Sequence, residues 1–372
     1  MASDKMQLLS DKLLQAFDDA SVKRRQTRIN AYVVMCEIWT HYYIPDSLTN
    51  RKMVLMASLE NSLKKGEEKE QNWAGKVIPL MVIQSETVED VVEILQLLKP
   101  ALMSIVRDSS AANCNVCAQC CTVLGMLYFA GEKDPHEILV LMKILQGILQ
   151  ISTPDSENGE HYAKVLNCWS LLLTLLTPES IVEQITNAVL LSVSYLIGML
   201  ESKDLAVRTV IGKTLALMYE LGLQHNTNFL QDELPDVIDT IQKLLTDVNR
   251  SQAKEHRKLQ RFIFRDVLHY LQEHKIPAVR IKFADETLLL DSWAIHHQYS
   301  CLRNVFGAGM NVHLKENVLI RYMLKLGPKR DTMEKHSVKV MKMEQQLSNV
   351  IMAKKRAIAR GKDRDKRSYV LE

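Results

Sequence analysis

The chain has 372 residues, of which 47% are hydrophobic and 24% are charged, as in an ordinary globular protein. Its 13 glycines and 9 prolines are too few for a turn-rich β fold, and the abundant Leu, Met, Glu, Lys, Gln and Ala favour helices. The start lacks a basic segment followed by an apolar one, so we expect no signal peptide. Seven cysteines without framework spacing indicate reduced thiols.

Apolar residues recur at helical spacing in a series of blocks separated by short polar breaks. The blocks run over Leu48–Lys65, Val88–Arg107, Asn113–Ala130, His136–Ile151, Tyr162–Leu176, Glu179–Leu200, Asp204–Leu223 and Asp232–Tyr270. Two helices with their connections repeat at about forty residues, the period of HEAT and armadillo arrays, in which neighbouring pairs cover each other's apolar faces. The sequence therefore predicts an all-α helical-repeat solenoid. Asp204 is expected to cap the start of its helix.

Four cysteines, Cys114, Cys117, Cys120 and Cys121, crowd one predicted helix. A structural zinc site is usually built from two separated ligand pairs, and the sequence has no second cysteine pair. We therefore interpret these thiols as part of a core helix, and we predict no metal and no cofactor. The sequence also lacks the common hydrolase and metalloprotease motifs, so we predict that the protein is not an enzyme.

A basic stripe stands out on the helix that follows. At 100° per residue, six cations lie within about 60° of Lys254, and Leu259, Ile263 and Val267 lie on the opposite side. The basic stripe consists of Arg250, Lys254, Arg257, Lys258, Arg261 and Arg265. Because Glu255 is the one acid in this span, the stripe is not neutralised locally. It is either a solvated face or a contact for an anionic surface.

The pattern changes near residue 275, where Val279, Ile281 and Phe283 alternate in a brief strand or an extended connection. We predict a helical-repeat domain over residues 1–275, a C-terminal module over 276–330, and a basic helix and tail over 331–372.

Positive charge is concentrated at the end of the chain. Residues 329–367 carry thirteen Lys and Arg against five Asp and Glu, whereas residues 1–328 have a net charge of −4. The C-terminal basic cluster consists of Lys354, Lys355, Arg356, Arg360, Lys362, Arg364, Lys366 and Arg367. It follows an apolar seam that includes Val340, Leu347 and Ile358, and such a helix suits a polyanion such as nucleic acid. A calmodulin-type target, a membrane-surface helix and a solvated tail remain alternatives, although the scarcity of aromatic residues argues against a membrane.

Several local sequences resemble the interferon-related developmental regulator family. In the C-terminal module they are Arg280–Phe283, Leu290–Trp293, Gln298–Tyr299, Val305–Met310, His313–Leu314, Asn317 and Leu326–Pro328, with Arg364–Arg367 closing the chain. Upstream they are Ser62–Glu67, Leu98–Pro100, Asp108–Ala111, Gln260–Arg261 and Phe264–Asp266. The chain departs from the family at Tyr322–Leu324, where an acidic residue and then Ile-Phe are usual, and it lacks a Ser/Gly-rich N-terminal extension.

The resemblance implies a non-enzymatic factor that binds the ribosome and keeps it translationally inactive. The helical-repeat body would occupy the tRNA P and E sites, and the C-terminal helix would enter the mRNA exit channel. Both basic elements would then contact rRNA or the mRNA channel. The family is also linked to transcriptional co-regulation, so a nuclear protein-interaction scaffold is the alternative. We expect a cytoplasmic monomer, with an additional nuclear location left open.

Overall fold

The computed structural model describes residues 2–108, 114–132, 134–151, 159–246 and 254–329. Thirteen α-helices form the repeat array within these residues. They are α1 (Ala2–Ala20), α2 (Arg25–His41), α3 (Lys52–Lys65), α4 (Glu68–Val82), α5 (Val88–Arg107), α6 (Cys114–Gly131), α7 (Pro135–Ile151), α8 (Gly159–Leu173), α9 (Pro178–Thr186), α10 (Val193–Met199), α11 (Leu205–Leu223), α12 (Leu234–Thr246) and α13 (Lys254–Glu273).

The array has two layers of helices. In the inner layer α2, α4, α6, α8, α11 and α13 each pack on the next. The outer layer consists of α1, α3, α5, α7, α9, α10 and α12, which pack on the inner helices. The prediction of an all-α helical-repeat solenoid is therefore confirmed. Because each inner helix packs on at least one inner neighbour and on an outer helix behind it, the apolar residues form one continuous core.

Helix α6 lies in the middle of this core. It is the one helix among the described residues that is long and apolar enough to cross a membrane, with a mean hydropathy of 1.4. About two thirds of it is buried inside the protein, as expected for a core helix. Its contacts with α4, α5 and α8 account for that burial.

Two local predictions have clear outcomes in the array. The Asp204 side chain accepts hydrogen bonds from the backbone N–H groups of Ala206 and Val207 at 2.7 and 3.1 Å, so the predicted cap is confirmed. The prediction of one helical block over Glu179–Leu200 is wrong, because α9 ends at Thr186 and α10 begins at Val193. Between them Ala188 has a φ of 55°, which an α-helix cannot accommodate.

The alternating residues after Pro277 form a strand rather than an extended connection. Strands β1 (Val279–Phe283) and β2 (Glu286–Leu290) pair antiparallel, with Ile281 opposite Leu288. The loop between them has two residues, and Ala284 adopts the positive φ of 45° that such tight hairpins require. The helices α14 (Trp293–Phe306), α15 (Met310–Glu316) and α16 (Val318–Met323) follow.

The C-terminal module packs on the inner layer, and helix α14 contacts α4, α8 and α11. The buried carboxylate of Glu220 on α11 accepts the N–H groups of Trp293 and Ala294, both at 2.8 Å. The N–H groups in the first turn of a helix have no partner within that helix, so Glu220 satisfies two of them from another part of the chain. Up to Gly327 the chain forms one compact unit, and the proposed boundary near residue 275 stays a prediction.

The far end of the module is held by contacts with α2 and the turn after α4. The Nε2 atom of His313 donates to the carbonyl oxygens of Trp39 and Thr40, both at 3.0 Å. Asn317 donates to the Ile83 carbonyl at 2.6 Å. At Gly309 a Cβ atom would lie 1.6 Å from the Thr40 carbonyl oxygen, so only glycine permits this approach.

Candidate functional site

The structure places half of the predicted basic stripe on an open surface of α13. Lys258, Arg261 and Arg265, which we call the α13 cations, are all exposed. None of the three forms an ion pair with an acid among the described residues. Lys254 and Arg257 lie on the same helix, and Arg250 lies outside the described residues. The interpretation of an un-neutralised face therefore holds for the three cations whose side chains are described.

Close packing fixes the rotation of α13 that points these cations outward. Phe264 is fully buried against α11, where a Cβ atom on Gly212 would lie 2.7 Å from the phenyl ring. Gln260 is also buried, and it accepts a hydrogen bond from Arg208 at 2.9 Å and donates to the Leu244 carbonyl at 3.1 Å. Gln260 and Phe264 are one turn apart and face inward, so the opposite side of α13, which carries Lys258 and Arg265, faces solvent.

A groove of about 960 Å³ borders the α13 cations. Helices α8, α11, α13 and α14 and the start of β1 line it. Phe262 and Leu259 of α13 line the groove although their side chains are 63% and 50% exposed. The sequence placed Leu259 on the apolar side of α13, and the structure shows that this side is covered only in part at its beginning.

The groove also contains three partly buried ionisable groups. Lys213 lines it without an ion pair or hydrogen bond to any described residue, and burial lowers the pKa of its ammonium group. Burial also raises the pKa of the Asp266 carboxyl, which faces the same space. His296 donates to the Pro277 carbonyl at 2.6 Å, and burial lowers its pKa. The sequence alone did not predict this groove, although the position of Phe262 at the edge of the basic stripe could have indicated it.

A second cavity, of about 530 Å³, continues along the inner layer towards α2 and α4. It shares Lys164, Asn167 and Asn304 with the groove. Lys164 pairs with Glu160 at 2.8 Å. The inner face is therefore open on both sides of α14, while α14 itself covers the part between them.

The four clustered cysteines all lie on α6. Cys120 and Cys121 are buried, and burial raises the pKa of Cys120 to about 12. A hydrogen bond with Cys117 and burial raise the pKa of Cys121. Both thiols are therefore protonated at neutral pH and pack as small apolar groups. Within the described ranges, no three His, Cys, Asp or Glu side chains are grouped to hold a metal ion.

The C-terminal basic cluster lies outside the described residues. This applies to Lys354, Lys355, Arg356, Arg360, Lys362, Arg364, Lys366 and Arg367, as well as to the apolar seam before them. Their role as a polyanion contact stays a prediction from the sequence.

Nearly the whole chain is similar to known proteins of one family. Residues 3–272 match the family Interferon-related developmental regulator, and residues 317–368 match the Interferon-related protein conserved region. The chain is 30% identical over 375 residues to interferon-related developmental regulator 2 of Mus musculus, covering 98% of this chain and 84% of that protein. It is also 30% identical over 365 residues to interferon-related developmental regulator 1 of the same organism, covering 95% and 80%.

One solved structure, an engineered protein, aligns with 70% of this chain and 98% of its own length, at 16% identity and a TM-score of 0.48. That likeness adds nothing to the helical architecture described above. The similarity to the first of these relatives covers 98% of this chain and therefore includes both the repeat array and the C-terminal module. The chain belongs to the interferon-related developmental regulator family.

Proposed function

We propose that this protein is a non-enzymatic factor that binds the ribosome and inhibits translation. The observation that carries the proposal is the basic face of α13, where Lys258, Arg261 and Arg265 are exposed and form no ion pair in the described part of the chain. Other cations of the array do form ion pairs, for example Lys52 with Asp90 at 2.8 Å. Unpaired like charges on one face repel each other, and a polyanion relieves that repulsion.

The spacing of the α13 cations suits the backbone of a nucleic acid. They lie three and four residues apart on one side of the helix, so they extend over about 10 Å along its axis. Lys and Arg side chains that contact phosphates fix position and contribute most of the affinity, but they carry little sequence information. This mode of binding suits a factor that recognises folded rRNA by its shape.

The proposed site on the ribosome follows what the family resemblance implies. We assign the helical-repeat array to the region of the tRNA P and E sites, and the C-terminal basic cluster to the mRNA exit channel. A helix with an apolar seam at one end and cations at the other can dock through the seam and extend its basic tip into an RNA-lined channel. Such a factor would occupy space needed by tRNA and mRNA and would mark the ribosome as inactive. We place this activity in the cytoplasm and assign it to a monomer.

A nuclear scaffold for transcriptional co-regulators is the competing function. Repeat arrays commonly bind protein partners on their inner face. Here α14 covers the middle of that face through its contacts with α4, α8 and α11. Of the two openings beside α14, the larger groove borders the α13 cations, which favours an anionic partner.

Charge reversal in the C-terminal basic cluster tests the ribosome proposal. The variant Lys354→Glu/Lys355→Glu/Arg356→Glu/Arg360→Glu should no longer comigrate with ribosomes in a density gradient. The matched control exchanges Lys and Arg at the same four positions, which keeps the charge and should keep comigration. If the reversed variant still comigrates fully at physiological salt, the insertion of this helix into the mRNA channel is refuted.

A further inference from the structure

The groove beside α13 is large, open and bordered by an exposed aromatic ring. Its volume of about 960 Å³ is at the upper end of the roughly 300–1,000 Å³ that ligand clefts occupy. The Phe262 side chain lines it and is 63% exposed. The phenyl rings of Phe264 and Phe306, in contrast, are fully buried. Phe262 therefore has an apolar face that nothing in the described structure covers.

Phe262 lies directly beside the α13 cations. It follows Arg261, comes four residues after Lys258 and comes three residues before Arg265. At 100° per residue its side chain lies about 40° from Lys258, on the side of the helix that faces the groove. A nucleic-acid backbone on the three cations would bring its bases within reach of this ring.

The interior of the groove offers hydrogen-bonding groups for a polar ligand. Asn167, Ser300 and Asn304 line it, together with the unpaired ammonium group of Lys213. The carboxylates of Glu160, Asp204 and Asp266 and the ammonium groups of Lys164 and Lys203 line the same groove, so both charge signs are present there. Nucleobases carry both donors and acceptors on their edges, and this mixed lining can satisfy them.

We infer that the groove holds one unstacked nucleotide of a single-stranded RNA, with its base against Phe262 and its backbone along Lys258, Arg261 and Arg265. The inference rests on the proposed function, because it takes RNA as the partner, and it adds a preference for single strands. Proteins read RNA mostly at loops, bulges and ends, where a base can leave the stack and lie on an aromatic ring. A base that is paired inside a duplex cannot enter the groove.

Anisotropy measurements with a short fluorescent RNA, single-stranded or annealed to its complement, test this inference on the full-length protein. Phe262→Ala should weaken single-strand binding about tenfold, as expected for the loss of one stacked base. It should leave duplex binding and the salt dependence unchanged, because no cation is removed. Phe262→Tyr keeps a ring for stacking and should bind like the original protein, and Lys213→Met should lose single-strand affinity selectively.

The control is Met53→Ala, which removes a similarly exposed apolar side chain from the outer helix α3 and should change neither affinity. Circular dichroism verifies that each variant is folded. Unchanged single-strand affinity of Phe262→Ala, or an equal loss with Phe262→Tyr, overturns the inference. The inference is also overturned if Phe262→Ala weakens the binding of an acidic amphipathic peptide but leaves the affinity for RNA unchanged. If the original protein binds neither RNA, the proposed function fails and the inference fails with it.

Discussion

Neutralising the α13 cations should lower both the affinity for RNA and its dependence on salt. The perturbation is Lys258→Gln/Arg261→Gln/Arg265→Gln, which removes three charges that form no ion pair in the described structure. Each phosphate contact to a single strand contributes about 0.7 to the slope of log K against log salt concentration, so three contacts contribute about two. Between about 50 and 200 mM salt, a slope of about two corresponds to a roughly twentyfold loss of affinity. The original protein should show this loss through its three cations, and the variant should lack it.

Anisotropy titrations with a short single-stranded RNA across a salt series measure this slope. The matched control, Lys64→Gln/Lys243→Gln/Lys315→Gln, removes the same charge from lysines that pair with Glu60, Asp239 and Glu316. We expect the control to keep the original slope. A triple α13 variant with an unchanged slope, or a control that loses as much as that variant, would refute the assignment of phosphate contacts to this face.

Three further predictions concern the packing of the fold. Gly309→Ala should lower the free energy of unfolding by at least about 1–3 kcal/mol in urea titrations, because its Cβ would overlap the Thr40 carbonyl; unchanged stability would contradict the docking contact. Glu70→Ala should cost about 3 kcal/mol in the same assay, since it removes the buried carboxylate that binds Arg28 at 2.7 Å; a loss below about 1 kcal/mol would contradict this. Burial lowers the pKa of His297 to about 4, so its contribution to stability should be complete above about pH 6.5 and should decline as the pH falls towards 4. In urea titrations over this range, His297→Gln should flatten the decline in the free energy of unfolding. An identical pH profile of the variant and the original protein would contradict this role of His297.

The periodicity of the sequence predicted the helical array and the outward face of α13. It succeeded because a helix fixes the angle between residues, so that Arg261 and Arg265 must share a side from which Val267 is excluded. The same argument placed Leu259 with the buried residues, and that placement is only partly right. Burial depends on which element covers a face, and the start of α13 borders the groove rather than another helix.

Sequence periodicity does not predict long-range contacts. Glu220 caps α14 from 73 residues away, and His313 reaches the Trp39 carbonyl across 274 residues. Periodicity indicates that a face is buried but carries no information on its partner. The motif around Trp293, His313 and Asn317 resembled a family signature, and the structure gives it a physical role. These residues hold the C-terminal module against the inner layer.

Sedimentation of the tagged full-length protein through a density gradient, with and without RNase, tests the central claim most directly. If the protein binds the ribosome through rRNA, it should migrate with ribosomes in untreated extracts and should move to the light fractions after RNase digestion. A scaffold that binds protein partners would keep its heavy complex after digestion. Migration in the light fractions without RNase, or a heavy complex that resists RNase, would contradict the account.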